Sequence, residues 1–194
     1  HKGEHKRMGA TDVVPFLPIQ EMTTEECNEI SREVGKAVWE KFKLPVFLYE
    51  STATAPNRVS LPDIRKGEYE GMAEKLKQPE WAPDFGERAP HPTAGVTAIG
   101  CRMPLIAFNI NLATTDMSIP KEIAKDIRFS SGGFRFIQAG PAEILDKGFV
   151  QVTMNIKDYT KNPIYRIMET VKMEAKRWGV KVTGCEIIGA TPFA

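Results

Sequence analysis

The order of apolar and polar residues predicts that the first half of the chain begins as a β-α-β unit. Strand-like residues 12–19 come first, and residues 45–49 form a second strand. Between them, Thr23 and Glu26 have the spacing of a capping box, which marks the start of a helix. A helical piece at 68–77 follows the unit. Within the main helix, spacings of three or four place five apolar residues on one face: Cys27, Ile30, Val34, Val38 and Phe42.

The second half of the chain predicts six elements in the order β-α-β-β-α-β. The strands are predicted at 104–112, 134–139, 149–156 and 180–188, and the helices at 119–128 and from Pro163 to Gly179. This order is typical of the ferredoxin-like split pattern. If the first half is built in the same way, its β-α-β is the rear part of such a unit, and an upstream β-α-β is missing. We therefore expect two subdomains, residues 1–101 and 102–194.

The composition is that of an ordinary globular protein. The 194 residues are 42% hydrophobic and 26% charged, and the net charge of +1 argues against a surface dominated by nucleic-acid binding. No apolar run approaches the roughly 20 residues that span a bilayer, and no signal peptide is visible. Cys27, Cys101 and Cys185 are widely spaced, so we expect three buried thiols in a reducing compartment. The sequence predicts a cytoplasmic protein without membrane or nucleic-acid partners.

Two of the three histidines lie in a basic segment, His1-Lys2-Gly3-Glu4-His5-Lys6-Arg7-Met8-Gly9-Ala10. An imidazole titrates near neutrality, so His5 can accept a proton and return it within one turnover. The same residues also spell H-x-x-E-H, a zinc motif that requires a helix with His1 and His5 on one face. Gly3 disfavours that helix by about 1 kcal/mol relative to Ala, and no further acidic cluster follows, so we expect no metal site. A solvated basic loop is the remaining interpretation.

A long segment between the two halves, Trp81 to Gly95, predicts a binding loop. Unstructured loops longer than about 12 to 15 residues are usually functional or disordered. The segment holds His91, two aromatic residues, and prolines and glycines that reduce the freedom lost on ordering and let a flat ligand approach the backbone. A rigid strap between domains is the alternative. Four basic residues are candidates for gripping a carboxylate: Arg58, Arg65, Lys66 and Arg102.

Several blocks of the sequence resemble the glutamate formimidoyltransferase family. They are residues 1–5 with 7–10, Gly67-Glu68-Tyr69-Glu70, Trp81-Ala82-Pro83-Asp84-Phe85-Gly86, and Leu105-Ile106-Ala107-Phe108-Asn109-Ile110-Asn111-Leu112. The blocks lie in order over the first 112 residues, and together they are more specific than any one motif. Lys6 departs from the family, in which many members have proline, so we expect a less rigid turn after His5.

The resemblance implies an enzyme that transfers the formimino group of N-formimino-L-glutamate to tetrahydrofolate, its co-substrate, in histidine degradation. The implied fold is α+β, with two ferredoxin-like (βαββαβ) subdomains and a ligand tunnel between them, the first only partly present here. The second histidine of the first block, His5, is the implied catalytic residue. A homodimer is also expected, with an upstream segment completing the first sheet. The implied folate-binding residues are Gly86, Glu87, Arg88, Ala89, Pro90, His91, Pro92, Thr93, Ala94 and Gly95.

Two alternatives to this function stay open from the sequence. A formyltransferase of the same architecture would use N-formylglutamate, since a carbonyl oxygen and an imino nitrogen differ by one hydrogen-bonding group. A non-catalytic folate-binding module is the other alternative. For the transferase, we expect neutral His5 to take the proton from folate N5 and to return it to the departing glutamate nitrogen. Lys2, Lys6 and Arg7 are expected to hold anionic substrate groups and to disfavour protonation of His5.

Overall fold

A computed structural model describes residues 6–144, 147–189 and 191. The chain divides into two compact units, the first ending at Arg102 and the second beginning at Met103. Each unit has its own sheet and its own apolar core. Among the described residues, no helix is both long enough and apolar enough to cross a membrane. The fold is therefore a mixture of α and β with two separate sheets.

The first unit contains a three-stranded parallel sheet with helices packed on it. Its strand β3 is central, pairs in parallel with β1 and with β2, and is buried along its whole length. Burial on both faces is usual for a central parallel strand. The predicted strands at 12–19 and 45–49 are therefore not neighbours, because β3 lies between them. The elements are β1 (Val13–Phe16), α1 (Thr24–Phe42), β2 (Val46–Leu48), α2 (Leu61–Arg65), α3 (Glu68–Lys75) and β3 (Thr97–Cys101).

Helix α1 begins and ends by side-chain and backbone caps. The predicted capping box is confirmed: Glu26 N donates to Thr23 Oγ1 at 3.2 Å, and Thr23 N donates to the Glu26 carboxylate at 2.8 Å. These two bonds satisfy amides that the helix itself leaves without partners. At the other end Lys43 takes a left-handed conformation with φ 53°, and its N–H donates to Trp39 O at 2.9 Å.

The predicted buried face of α1 is confirmed in part, since Cys27 is buried and Ile30, Val34 and Val38 are half-buried. Phe42 is 57% exposed, so its place on the predicted face is wrong. Small side chains let the helix lie close to its neighbours, since a β-carbon at Gly35 would be 3.1 Å from the Phe85 ring. Close packing thus selects small residues over the larger apolar ones. The buried residues of the helix are Cys27, Asn28, Ser31 and Gly35.

The three cysteines do not share one environment. Cys27 and Cys101 are buried, as predicted, whereas Cys185 is exposed, so that part of the prediction is wrong. Burial raises the pKa of the Cys27 thiol to about 12, with a further contribution from the neighbouring Cys101. The Cys27 thiol therefore serves as a small apolar side chain at neutral pH. Cys185 lies in a strand of the second unit in which most residues are exposed.

The second unit is a four-stranded antiparallel sheet with two helices. The predicted order of strands and helices is confirmed by this part of the structure. The strands lie in the order β5-β6-β4-β7, and each neighbouring pair is antiparallel. Strands β6 and β4 are therefore central, and β5 and β7 are the two edge strands. The elements are β4 (Ile106–Leu112), α4 (Ser118–Ile127), β5 (Ile137–Ile144), β6 (Phe149–Ile156), α5 (Ile164–Arg177) and β7 (Val182–Ile188).

Strand β4 shows how the two faces of this sheet differ. Its residues alternate between buried and half-buried along the whole strand. The buried set, Ile106, Phe108, Ile110 and Leu112, belongs to a core with apolar residues of α4 and α5. Because side chains of a strand point to opposite faces in turn, the half-buried set, Ala107, Asn109 and Asn111, faces away from these helices.

A buried ion pair ties the loop before residue 86 to the first sheet. Asp84 and Arg58 are 2.5 Å apart, and their side chains are 7% and 8% exposed. Leu48 N in β2 donates to Asp84 Oδ2 at 2.8 Å, and Thr54 Oγ1 donates to the other carboxylate oxygen. The guanidinium of Arg58 also lies 5.5 Å from the centre of the Phe47 ring. These contacts give each charge a partner, which makes their burial tolerable, although the buried Arg58 Nε has no hydrogen-bond partner among the described residues.

Lys75 caps the end of α2 from the neighbouring helix. Its ammonium donates to the carbonyls of Asp63, Ile64 and Lys66 at 2.6, 2.7 and 3.2 Å. It also lies 3.7 Å from the centre of the Trp81 ring. Burial lowers the pKa of Lys75 to about 8, since desolvation disfavours the charged form. The carbonyls at the end of a helix favour the charge and so oppose that shift.

We predict that Asp84→Asn destabilises the first unit strongly. The change leaves the Arg58 charge buried without its counterion, which costs about 3 to 5 kcal/mol of unfolding free energy. Urea unfolding of the variant measures the loss, with the exposed Asp126→Asn as the matched control. A loss below 1 kcal/mol, similar to that of the control, would contradict the structural role of the pair.

We also predict that Lys75 makes stability depend on alkaline pH. The folded pKa of about 8 lies below the unfolded value of 10.5, so between them the unfolded chain binds more protons. The free energy of unfolding must then rise with pH in this window. Relative to Lys75→Met, the wild type should gain about 2 kcal/mol between pH 7 and 9.5, as measured by urea unfolding. An equal difference at both pH values would show that Lys75 titrates at its ordinary pKa.

Candidate functional site

The chain after the predicted catalytic residue meets the end of the predicted folate segment in the first unit. His5 itself lies outside the described residues. Directly after it, Met8 is fully buried, and its carbonyl accepts from Val96 N at 3.1 Å. Ala10 N donates to Ala94 O at 3.0 Å. The two segments that the sequence singles out are therefore joined by backbone hydrogen bonds.

Two glycines make this contact possible. A β-carbon at Gly9 would be only 2.1 Å from Val96 O, a distance that real side chains do not reach. Gly95 has φ 69°, in the left-handed region, and a β-carbon there would be 2.4 Å from Met8 O. Glycine alone satisfies both the close approach and the positive φ. The position of the backbone after His5 is thus set by residues that carry no side chain.

The predicted folate segment, Gly86–Gly95, is called the anchored loop here because both of its ends are bound to the sheet region. At its start, Val46 N donates to Phe85 O and Asp84 N donates to Val46 O, each at 2.9 Å. At its end, Gly95 bridges Gly9. Residues 86–89 between these ties are exposed. The loop therefore presents an exposed turn on fixed supports.

His91 orders the second half of the anchored loop. Its Nδ1 accepts hydrogen bonds from the N–H groups of Ala94 at 3.1 Å and Thr93 at 3.3 Å. His91 and Gly95 also exchange two backbone hydrogen bonds, of 2.8 and 2.9 Å. Because Nδ1 accepts, the proton of the neutral ring is on Nε2. The sequence offered no partner for this histidine, and the partners prove to be amides two and three residues further on.

A cleft of about 670 Å³ lies beside Lys6, the first described residue after His5. Arg7 in its wall binds two carboxylates, Glu68 at 3.1 Å and Glu70 at 2.6 Å. The hydrogen bond with Glu70 raises the pKa of Arg7 and lowers the pKa of Glu70. The lining thus carries both signs of charge. It consists of Lys6, Arg7, Pro62, Arg65, Lys66, Gly67, Glu68 and Glu70.

The predicted carboxylate-binding residues have different surroundings. Arg58 binds Asp84, and Arg65 binds Asp12, so both already hold carboxylates of the protein. Lys66 is exposed and lines the cleft. Arg102 is half-buried and stabilises the phenolate of Tyr49, although burial is the larger effect and raises the pKa of Tyr49 to about 12.

The metal hypothesis concerns residues that the structure does not describe. The zinc motif depends on His1 and His5, both outside the described part of the chain. Within residues 6–144, 147–189 and 191, no group of three or more His, Cys, Asp or Glu side chains could hold a metal ion. The anchored loop and the cleft therefore remain the described parts of the candidate site.

Comparison with known proteins gives two family matches and several relatives. The Formiminotransferase domain, N-terminal subdomain, matches residues 1–102, and the Formiminotransferase domain matches residues 107–194. Glutamate formimidoyltransferase of Streptococcus pyogenes serotype M1 is 52% identical, and that of Thermoplasma acidophilum is 43% identical, each over 99% of this chain. Formimidoyltransferase-cyclodeaminase of Mus musculus is 38% identical over the whole chain.

The chain spans 64% of the length of the two prokaryotic relatives and 37% of the mouse protein. The two family matches meet close to the boundary between the two compact units, at Arg102 and Met103. The first match alone covers more than half of the chain. On this basis the chain belongs to the formiminotransferase domain family.

Proposed function

We propose that the protein transfers the formimino group of N-formimino-L-glutamate to tetrahydrofolate, giving L-glutamate and 5-formiminotetrahydrofolate, in histidine degradation. The names of the two prokaryotic relatives support this activity. The observation that carries the proposal is the backbone pairing of Met8 and Ala10 with Val96 and Ala94. It brings the chain after His5 to the anchored loop, where a base and a folate would have to meet.

In this proposal His5 moves the proton of the reaction. The N5 amine of tetrahydrofolate attacks the formimino carbon and must lose its proton as the tetrahedral intermediate forms. Neutral His5 accepts that proton and then delivers it to the glutamate nitrogen, which leaves as an amine. Such a positioned acid and base contributes about 10²- to 10⁴-fold in rate. The charge of Lys6, next to His5 in the sequence, favours the neutral imidazole, because like charges disfavour protonation.

The anchored loop is the proposed folate-binding segment. Its fixed ends reduce the conformational entropy that binding must overcome, and its exposed middle is open to a ligand. The hydrogen bonds of His91 within the loop involve Nδ1, so the proton on Nε2 can be donated to an acceptor atom of the ligand. These features support His91 as the polar contact of the loop.

Lys6 and Lys66 are the proposed ligands for the carboxylates of the glutamate donor. Both line the cleft, and both are exposed. The other cations of this region, Arg7 and Arg65, form ion pairs with Glu68, Glu70 and Asp12. A cleft of about 670 Å³ has room for a ligand the size of an amino acid.

The finer architecture is part of the same proposal. The strand order β5-β6-β4-β7 and the β-α-β-β-α-β sequence support a ferredoxin-like second subdomain. By analogy with the family, we assign the same type of fold to the first subdomain. A cytoplasmic homodimer completes the proposal.

We predict that His5→Ala abolishes transfer while leaving folate binding nearly intact. The turnover number should fall at least about 10²-fold, because the variant lacks the proposed base. Steady-state kinetics give this number, and titration with 5-formyltetrahydrofolate gives the affinity. The control is His91→Ala, which should instead weaken folate binding about tenfold. Full turnover by His5→Ala would refute the catalytic assignment, and efficient use of N-formylglutamate would favour the formyltransferase.

A second prediction concerns the donor. Lys66→Ala should raise the KM for N-formimino-L-glutamate about tenfold, the effect of losing one charged hydrogen bond. The affinity for 5-formyltetrahydrofolate should stay the same. Lys77→Ala is the matched control, because Lys77 is also exposed but pairs with Glu74 away from the cleft lining. Equal KM values for the two variants would remove Lys66 from the donor site.

A further inference from the structure

The second sheet carries a cluster of polar side chains on the face that α4 and α5 do not cover. Asn109 pairs with Glu186 in the antiparallel register of β4 and β7, and Asn111 pairs with Gln151 in that of β4 and β6. The four side chains are therefore neighbours on one face. We call the set Asn109, Asn111, Gln151 and Glu186 the polar cluster.

Hydrogen bonds within the polar cluster fix the carboxylate of Glu186. Gln151 Nε2 donates to Glu186 Oε1 at 2.9 Å and to Asn111 Oδ1 at 2.8 Å. Asn109 Nδ2 donates to the same Glu186 oxygen at 3.2 Å. Gln151 is only 4% exposed, so the packing around it restricts the movement of its side-chain amide. The carboxylate thus has one occupied oxygen and a defined orientation.

The remaining oxygen of Glu186 is available to a ligand. Oε2 makes no hydrogen bond and no salt bridge within the described residues, and Glu186 is exposed. The bonds from Gln151 and Asn109 lower the pKa of Glu186, so the group is an anion at neutral pH. The charge of Lys147 lowers this pKa as well. A carboxylate with one oxygen that makes no hydrogen bond within the described residues is a strong acceptor for N–H donors.

One position beside Glu186 on this face carries no side chain. A β-carbon added at Gly184 would meet only Asn111 Nδ2, at 3.5 Å. Gly184 lies on the same face as the polar cluster, because it pairs with Asn111 and stands two residues before Glu186 in β7. A planar group can therefore lie against the strands and reach the carboxylate with its edge.

We propose that Glu186 Oε2 binds the N–C–N edge of a ligand, that is, a carbon bearing two nitrogen atoms with N–H donors. This rests on the proposed function, whose reactants include two groups of this kind. One is the N3–H and 2-amino edge of the tetrahydrofolate pterin, and the other is the formimino group of the donor. Asn109 and Gln151 act as positioning residues, because they hold the carboxylate in place. A carbonyl group at the same point would instead place an acceptor against the anion.

The test uses the intact protein and two pairs of ligands. The folate pair is 5-formyltetrahydrofolate and its 2-desamino-2-methyl analogue, which lacks the amino donor. The donor pair is N-formimino-L-glutamate and N-formyl-L-glutamate. Affinities are measured for the wild type, for Glu186→Gln, and for the control Glu143→Gln. Glu143 lies on the same sheet, but its partner Val150 belongs to the helix-covered core, so the change falls on the other face.

In one of the two pairs, the wild type should bind the ligand that has both N–H donors about 10- to 100-fold more tightly than the ligand that lacks one of them. Glu186→Gln should lose most of that discrimination, whereas Glu143→Gln should keep it. Loss confined to the folate pair assigns Glu186 to the pterin, and loss confined to the donor pair assigns it to the formimino group. Wild-type affinities that do not distinguish either pair overturn the proposal without any variant. Equal weakening of all four ligands in Glu186→Gln also overturns it.

These outcomes are separate from the proposed function. Transfer by the wild type is measured on its own, and its absence would refute the transferase activity. Ligand discrimination by Glu186 could still be present in that case, as in a folate-binding module. Conversely, active transfer with unchanged discrimination in Glu186→Gln would leave the activity standing and remove the role of Glu186.

Discussion

The first unit depends on one close contact between two stretches of backbone, at Gly9 and Gly95. Any side chain at either position would meet a carbonyl oxygen at 2.1 to 2.4 Å, so the two stretches could not approach. The pairing of β1 with β3 continues from this contact, beginning at Val13 and Ala98. The backbone hydrogen bonds that hold the sheet therefore also fix the position of the residues that follow His5. In this unit the stability of the sheet and the geometry of the candidate site have a common origin.

Buried charges make the second contribution to that geometry. Arg58 and Asp84 join the loop to β2, and Lys75 joins α3 to the end of α2. Each costs desolvation, which is offset only because hydrogen bonds satisfy the groups. Such interactions specify one arrangement, since a shifted loop would leave a charge without its partner. In the cleft, Arg7 and Arg65 are likewise bound to carboxylates of the protein rather than open to a ligand.

Local patterns predicted much of this fold. The capping box of α1, the strand β4 and the element order of the second unit all follow from patterns over a few residues. What the sequence did not predict depends on contacts distant in the chain. Strand β3 has the sequence Thr-Ala-Ile-Gly-Cys, which gives no clear alternation, and it becomes a strand because β1 and β2 flank it.

The candidate site was predictable to a similar degree. His5 and the loop rich in proline and glycine stand out in the sequence. The structure joins the residues that follow His5 to the end of that loop. Asp84 did not stand out, because its importance comes from Arg58, which approaches it only in the folded chain. Glu186 was missed for the same reason, since Gln151 and Asn109 come from other strands. The Lys66 side chain could be proposed from its type, but its exposure required the structure.

The position of β3 in the middle of the first sheet has a consequence for folding order. Both of its partners precede it by many residues, and Val13 must wait for Ala98 before any strand pairing can occur there. The second unit instead contains a local hairpin, in which Ile144 of β5 pairs with Phe149 of β6. Closing a long loop costs entropy before any contact is gained. A unit whose contacts join residues close in the sequence, that is, a unit of low contact order, therefore folds faster. During synthesis on a ribosome, the sheet of the first unit can form only when nearly all of that unit has emerged, whereas the second can nucleate from its hairpin.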